Sequence, residues 1–292
     1  MFIITVNKRQ LVLGAVGVLI ACAIAAASLL LGPLAPTQAS EEADGINLPI
    51  LMYHSILKDN SRAGKYVISP DTIEQDMIYL KDHGYTTVVM ADLIDYVENG
   101  TPLPEKPVML TFDDGHLNNK TYVYPLLQKH GMKAVISIVG EYTEKFSVTP
   151  DPNPAYAYLT WDDIRELSES GIVEFQSHSY ALHDQKPRKG AAKKRGEDTA
   201  SYQKMLTDDL TKLQDCLTQK SGVTPTTFTY PYGAISKDST SVVKALGFKA
   251  SLSCYEKPNY ITRDPDCLYE LNRYNRANGS STEKFMKKAG IV

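Results

Sequence analysis

Two adjacent carboxylates end a buried apolar segment in the stretch VMLTFDDGH, residues 108–116. The first five residues, VMLTF, are typical of a buried strand, and Asp113 and Asp114 follow at once. Two carboxylates this close repel each other, and burying either one without a partner costs free energy. The pair therefore requires compensation by a cation, and it offers groups that bind a metal or take up a proton.

Two imidazoles lie five residues apart in HSYALH, where His178 and His183 follow the apolar run IVEFQS. A helix pairs residues i and i+4, so this spacing favours a strand end that turns back on itself. Two histidines and one aspartate, with open positions for water, are a recurrent catalytic arrangement around a divalent cation. We therefore predict a metal site that contains one of the two aspartates. The alternative is a pair of hydrogen-bonded core histidines.

Polar residues stand at the ends of several predicted strands. In parallel α/β folds, reactive residues collect where strands end and loops begin. Five strands contribute such groups: His54 after LPILMY, the aspartate pair after PVMLTF, the histidine pair after IVEFQS, Pro231 and Tyr232 after TTFTY, and Arg273 within the last predicted strand. Their convergence at one end of a sheet predicts an active site.

From Leu48 onward, predicted strands and helices alternate regularly. Such alternation indicates a largely parallel sheet. About seven strands in the roughly 245 residues that follow favour a closed α/β barrel over an open sheet.

The motifs resemble those of a known family. TFDDG at 111–115, His178-Ser179 followed by His183, and the segment TYPYG around Tyr232 are similar in order and spacing to the motifs of polysaccharide deacetylases, carbohydrate esterase family four, with the NodB homology domain. The resemblance covers about residues 106–292. The histidine spacing and LMYH at 51–54 look most like the branch that deacetylates poly-N-acetylglucosamine. The resemblance implies a distorted (β/α) barrel of about seven strands.

The resemblance also implies roles for the central residues. Asp114, His178 and His183 would bind one divalent metal, usually zinc in this family, with cobalt or nickel as other ions. Asp113 would be the general base that takes a proton from the attacking water. Arg273, in LNRYNR, matches the arginine that holds this base in place.

The backbone N–H of Tyr232, next to Pro231, would help to bind the oxyanion.

Two departures from the family stand out. Many members have a catalytic histidine late in the chain, which this sequence lacks, so either His54 supplies the acid or protonated Asp113 returns its proton. Thr229 stands where many members have an arginine, which leaves open what supports the third motif.

The chain begins with features of membrane targeting. Residues 11–32 carry no charge and follow Lys8 and Arg9, and 22 such residues reach across a bilayer core of roughly 30 Å. We expect an uncleaved anchor. The alternatives are cleavage after Ala39 or lipidation of Cys22. All three place the remaining chain outside the cytoplasm, at the extracellular face of the membrane or secreted.

We therefore predict three parts: a cytoplasmic tip and membrane or signal segment (1–32), a tether (33–47) and a catalytic domain (48–292). The formal net charge of −3 gives no support for nucleic-acid binding. We expect a polysaccharide substrate and favour a monomer. The predicted function is removal of N-acetyl groups from an extracellular N-acetylglucosamine polymer. Alternatives are a peptidoglycan or xylan deacetylase of the same fold, or a non-catalytic wall-binding relative.

Two further features concern loops. Cys254 and Cys267 bracket a polar loop and are the expected disulfide pair, with Cys216 as a buried thiol; the alternative is that all three are reduced. The basic insert at 186–198 is expected to be a solvated loop, and anion binding is its alternative role.

Overall fold

The computed structural model of the protein describes residues 45–292. The expected membrane segment at 11–32 and most of the expected tether lie outside the described residues. Within 45–292, no helix is both long enough and apolar enough to cross a membrane.

Strands and helices alternate through the described chain. The strands are β1 (Ile46–Asn47), β2 (Ile50–Tyr53), β3 (Ser55–Ile56), β4 (Val67–Ile68), β5 (Thr86–Thr87), β6 (Pro107–Phe112), β7 (Ala134–Ile138), β8 (Val173–Ser177), β9 (Thr227–Thr229), β10 (Ala250–Leu252), β11 (Tyr260–Ile261) and β12 (Tyr274–Asn275). The α-helices are α1 (Pro70–Asp82), α2 (Met90–Asn99), α3 (Tyr124–His130), α4 (Gly140–Val148), α5 (Trp161–Glu169), α6 (Thr199–Ser221), α7 (Ser239–Ala245) and α8 (Thr282–Lys288).

Seven parallel strands form the main sheet, in the order β10-β9-β8-β7-β6-β2-β12, and β5 also pairs with β6. The two end strands meet through the segment before β12. Leu271 N–H donates to Ser251 O at 2.9 Å, and Ser253 N–H donates to Leu271 O at 2.8 Å. This seam curls the sheet into a distorted (β/α) barrel, which confirms the expected fold class.

The two faces of the central strands differ in what they bury. Along β6, Val108 and Leu110 join one apolar cluster under the helices, whereas Met109 belongs to a second cluster. Since side chains alternate along a strand, the face of Met109 also carries Thr111 and then Asp113. This face therefore changes from apolar to polar toward the carboxyl end of the strand, where the site lies.

The sheet is strongly curved at this polar end. Ser137 Oγ on β7 lies 2.7 Å from Thr229 Oγ1 on β9, although β8 runs between these two strands. Neighbouring strands in a sheet are about 4.8 Å apart, so side chains two strands away touch only on a concave face. The curvature brings groups from separated strands to one point.

Three expectations differ from the structure in detail. The last predicted strand, residues 267–275, begins at the end of a 3₁₀ turn, Pro265–Leu268, continues as an irregular segment, and forms a strand only at the short β12. Helix α4 was not expected. The predicted disulfide between Cys254 and Cys267 is wrong, since all three cysteines in the described part are free. Cys254 Sγ instead lies 3.6 Å from Arg273 Nη2, and Cys267 Sγ lies 3.8 Å from a backbone carbonyl.

Candidate active site

Asp114, His178 and His183 meet at the carboxyl ends of β6 and β8. One ligand atom from each lies within 4.8 Å of the others. Asp114 has a positive φ of 74°, and the next residue is Gly115, where an added Cβ would lie 2.9 Å from Ile138 Cγ2. The glycine lets the chain turn sharply after the strand, and this turn directs the Asp114 carboxylate toward the histidines.

The orientation of His178 is fixed by a neighbouring strand. Its Nδ1 lies 2.8 Å from Thr229 O, and because a carbonyl only accepts, Nδ1 carries the proton and Nε2 presents a lone pair. Burial lowers the pKa of His178 to about 4, so the ring is neutral at pH 7. Thr229 thus supports the site through its backbone carbonyl, at the position where many family members have an arginine.

His183 approaches from the loop beyond β8. Its Nε2 lies 3.0 Å from Asp114 Oδ1, and His178 Nε2 lies 3.5 Å from the same oxygen. Tyr232 Oη donates a hydrogen bond to the carbonyl of His183 at 2.9 Å. The tyrosine at the third motif therefore holds the backbone of the second histidine.

The donor set fits a divalent cation. Asp114 Oδ1 is buried and makes no hydrogen bond with any described residue. A neutral imidazole lone pair faces this carboxylate oxygen, and two such acceptors repel unless a cation or a proton lies between them. Two imidazole nitrogens and one carboxylate oxygen are the ligand type that suits zinc and similar ions.

The Asp113 carboxylate is paired with Arg273. The guanidinium donates two hydrogen bonds, from Nη1 to Oδ1 at 2.6 Å and from Nη2 to Oδ2 at 2.8 Å, and both side chains are buried. Burial alone would raise the pKa of Asp113, but Arg273 and His178 outweigh it and the net direction is downward. The backbone of Arg273 lies beside the seam, where its N–H donates to Tyr255 O.

His54 lies beside Asp113, with His54 Nε2 3.8 Å from Asp113 Oδ2. Its Nδ1 is buried and has no hydrogen-bond partner among the described residues. Burial lowers the pKa of His54, although the nearby aspartates oppose this shift. The ring of Tyr66 covers the imidazole at 4.6 Å between centroids. His54 therefore faces Asp113 and lies outside the cluster of Asp114, His178 and His183.

The third motif lies beside the same cleft. Tyr232 has a φ of 58°, and Pro231 begins the 3₁₀ turn that contains it. Gly190 packs on this turn so closely that an added Cβ would lie 2.5 Å from Pro231 O. The basic insert therefore contacts the motif and is part of the wall of the site.

A family model described as polysaccharide deacetylase matches residues 100–251, just over half of the chain. The match includes the TFDDG turn, both histidines and the TYPYG segment. The chain belongs to the polysaccharide deacetylase family. This match joins motifs from three separate strands, whose side chains the fold brings together.

Two relatives show how much of this chain is shared with other proteins. The poly-beta-1,6-N-acetyl-D-glucosamine N-deacetylase of Escherichia coli K12 is 27% identical over 221 residues, which cover 68% of this chain and 32% of the relative. The chain thus spans about a third of the length of that relative. The BpsB deacetylase domain of Bordetella bronchiseptica is 27% identical, with a TM-score of 0.65 over 79% of this chain and 96% of that domain.

A second solved structure supports the fold alone. The de-N-acetylase of Aggregatibacter actinomycetemcomitans is 24% identical, with a TM-score of 0.70 over 83% of this chain and 100% of the other. The barrel described above is therefore the fold of the polysaccharide deacetylases.

The deacetylase-family site opens into a cleft of about 1070 Å³. Three strongly exposed tyrosines line it: Tyr66, Tyr156 and Tyr255 are 46, 53 and 54% exposed. Exposed aromatic faces beside a catalytic centre suit sugar rings, which present apolar C–H faces. The sequence shows only that tyrosine is abundant, with 18 in the chain. It does not single out these three, because their exposure depends on how the loops fold.

Two basic side chains of the insert are paired, one with an acid inside the insert and one with an acid outside it. Arg188 donates to both carboxylate oxygens of Glu197 at 2.8 and 2.6 Å, and Lys193 Nζ lies 2.9 Å from Asp238 Oδ2. Lys189 lines the cleft. The insert is a largely exposed loop without helix or strand, as expected, and Arg188 and Lys193 tie it to neighbouring residues.

Proposed function

We propose that this chain is a metal-dependent hydrolase that removes N-acetyl groups from a polysaccharide containing N-acetylglucosamine. The observation that carries the proposal is the separation of two adjacent aspartates into two environments. Asp114 faces two imidazoles, whereas Asp113 is paired with Arg273 and faces His54. One carboxylate is thus available to a cation and the other to a proton, as amide hydrolysis requires.

Asp114, His178 and His183 would hold the divalent cation. When bound, the cation supplies Lewis acidity and positive charge beside the amide under attack. His178 stays neutral through burial and through its bond to the Thr229 carbonyl, so its Nε2 lone pair is available for binding. Zinc, cobalt and nickel all suit this donor set.

Asp113 would take the proton from the attacking water. Arg273 keeps the carboxylate ionised and fixes its plane through two hydrogen bonds. The leaving amine needs a proton in the second half of the reaction, and His54 lies near enough to Asp113 for small movements to pass one between them. We assign the acid to His54, with direct return from Asp113 as the competing route.

The substrate assignment is supported by the cleft and by the relatives. The cleft is open and bordered by exposed tyrosines, as a polymer that passes across the surface requires. The Escherichia coli relative is named for poly-beta-1,6-N-acetyl-D-glucosamine. We therefore propose a β-1,6-linked N-acetylglucosamine polymer as the substrate.

We place the reaction at the extracellular face of the membrane, on the evidence of the charge-free run at 11–32 behind Lys8 and Arg9. Protease treatment of intact cells tests this placement. An external domain is degraded without lysis, whereas an internal one survives until the cells are broken.

The test of the activity is acetate release by the purified chain. We expect release from β-1,6-linked N-acetylglucosamine oligomers, its loss after chelation, and its return when Zn²⁺ or Co²⁺ is added. Acetate release only from peptidoglycan fragments or acetylated xylan would show that the substrate is one of these other polymers. Binding of all three glycans without acetate release would instead indicate a non-catalytic wall-binding protein.

A further inference from the structure

The loop that joins the two metal-ligating histidines is held by an aspartate from a distant helix. Asp209 on α6 accepts the backbone N–H of Tyr180 at Oδ1 and that of Ala181 at Oδ2, both at 2.8 Å. Its side chain is partly buried against the loop. Each carboxylate oxygen therefore holds one amide of the segment between His178 and His183.

The opposite side of the loop is held by the start of α4. The amides of Gly140 and Glu141 donate to the carbonyls of Ser179 at 3.1 Å and Tyr180 at 2.8 Å. An added Cβ at Gly140 would lie 2.6 Å from Tyr180 Cδ2, so helix and loop are in close contact. Asp209 thus accepts hydrogen bonds from amides of the loop, and the start of α4 donates hydrogen bonds to its carbonyls.

The contacts of Asp209 require a carboxylate. An asparagine has one acceptor oxygen, so its NH₂ group would face the second backbone N–H. The loop also contains Ser179 with a φ of 78°, a conformation that persists only when its surroundings impose it. Removing one bond to the loop therefore releases a strained segment.

The two histidines depend on this loop to different degrees. His178 is the residue after β8, and its ring is oriented by Thr229 O. His183 is five residues further on, and its position relative to Asp114 depends on the path of residues 179–182. The Tyr232 hydroxyl bonds to the carbonyl of His183 itself, beyond residues 179–182.

We propose that Asp209 is a positioning residue of the metal site, which holds residues 179–182 in the conformation that brings His183 to Asp114 and so sets the affinity for the cation. The proposal rests on the proposed function only in requiring that a divalent cation binds this cluster. Partners beyond the ligands of metal sites commonly change affinity by about 10- to 100-fold.

The test measures Co²⁺ and Zn²⁺ dissociation constants by calorimetry on the metal-free full chain. We expect Asp209→Asn and Asp209→Ala to weaken binding by about 10- to 100-fold. Asp208→Asn is the matched control, because Asp208 is the preceding residue of α6, is 60% exposed and pairs with Lys204. It should bind within about twofold of wild type, as expected for an exposed pair.

Metal rescue separates positioning from a general loss of structure. Acetate release by the Asp209 variants should be low at limiting metal and return to within a few-fold of wild type at saturating metal. A lower melting temperature with an unchanged dissociation constant would show a merely structural role and overturn the proposal. If wild type binds metal but releases no acetate, the proposed activity fails while the dissociation constants still test Asp209.

Hydrogen exchange on the wild-type chain provides a measurement that does not depend on any variant folding. The amides of Tyr180 and Ala181 should be protected before metal is added, by at least about tenfold relative to an unstructured peptide. Unprotected amides in the metal-free chain would contradict the positioning role.

Discussion

Arg273 and Asp113 form a bidentate ion pair inside the barrel, with N–O distances of 2.6 and 2.8 Å. Removing one partner of a buried pair costs about 3–5 kcal/mol, because the other charge is left uncompensated. The neighbouring Asp114 has no such arginine and faces imidazoles instead. Two consecutive residues of the same type therefore differ in their partners, and this difference predicts different effects of the same substitution.

Asp113→Asn should lower kcat by about 10²- to 10⁴-fold and leave the cation dissociation constant within about threefold of wild type. Asp114→Asn should lose both activity and cation binding, because it removes the only carboxylate of the cluster. Calorimetry and acetate release measure the two properties. Full activity in Asp113→Asn would show that this residue is not the base.

His54→Gln should lower kcat by about 10²-fold or more while cation affinity is unchanged, since His54 is outside the metal cluster. The measurement is kcat for acetate release over a range of pH, with calorimetry as the control for the metal. A kcat within about threefold of wild type would favour the competing route, in which Asp113 itself returns the proton.

Tyr255→Ala should raise KM for long oligomers by about 2- to 10-fold with little change in kcat, because stacking of about 0.5–1.5 kcal/mol is lost. Tyr260→Ala is the matched control: Tyr260 is 62% exposed and lies in the same segment, but it does not line the cleft. Equal effects of the two substitutions would contradict a sugar platform at Tyr255.

The ion pair in the basic insert should give a pH-dependent stability. Hydrogen bonds from Arg188 lower the pKa of Glu197 from 4.5 to about 2. Because the folded pKa lies below the unfolded value, the stabilisation is complete above about pH 4.5 and is lost as the pH falls toward 2. Glu197→Gln should therefore unfold at a lower urea concentration at pH 7, and its difference from wild type should narrow below pH 4.5.

Asp162→Asn is the control for this series, because Asp162 is 86% exposed and its pair with Arg165 contributes little. It should follow wild type at every pH. A difference between Glu197→Gln and wild type that stays constant down to pH 3 would show that ionisation of Glu197 is not the cause.

The barrel was predictable from the sequence because its strands are apolar runs separated by helices with clear start and stop signals. The proximity of the motif residues followed from the same pattern, since parallel strands place their carboxyl ends together. Asp113 and His178 were identified as site residues because each directly follows a predicted strand.

Asp209 was not identified because nothing in its local sequence distinguishes it from other helical aspartates. Its contacts arise from the packing of α6 on a loop 28 residues earlier in the chain. The cysteine pairing failed for a related reason: Cys254 and Cys267 bracket a loop in sequence, but Cys254 contacts Arg273 in the folded chain. Spacing along the chain does not determine which way a side chain points.

The seam at Leu271 links catalysis to the completion of the fold. The residues proposed to bind the cation come from β6 and the β8 loop, whereas Arg273 belongs to the segment that joins β10 to β12. Weakening this junction would disorient Asp113, the proposed proton acceptor, while leaving cation binding intact. In a chain with Asp113 and His54 intact, loss of acetate release with full cation binding would therefore indicate that the sheet is not closed at Leu271. Substitutions far from the cleft could abolish the proposed activity in this way.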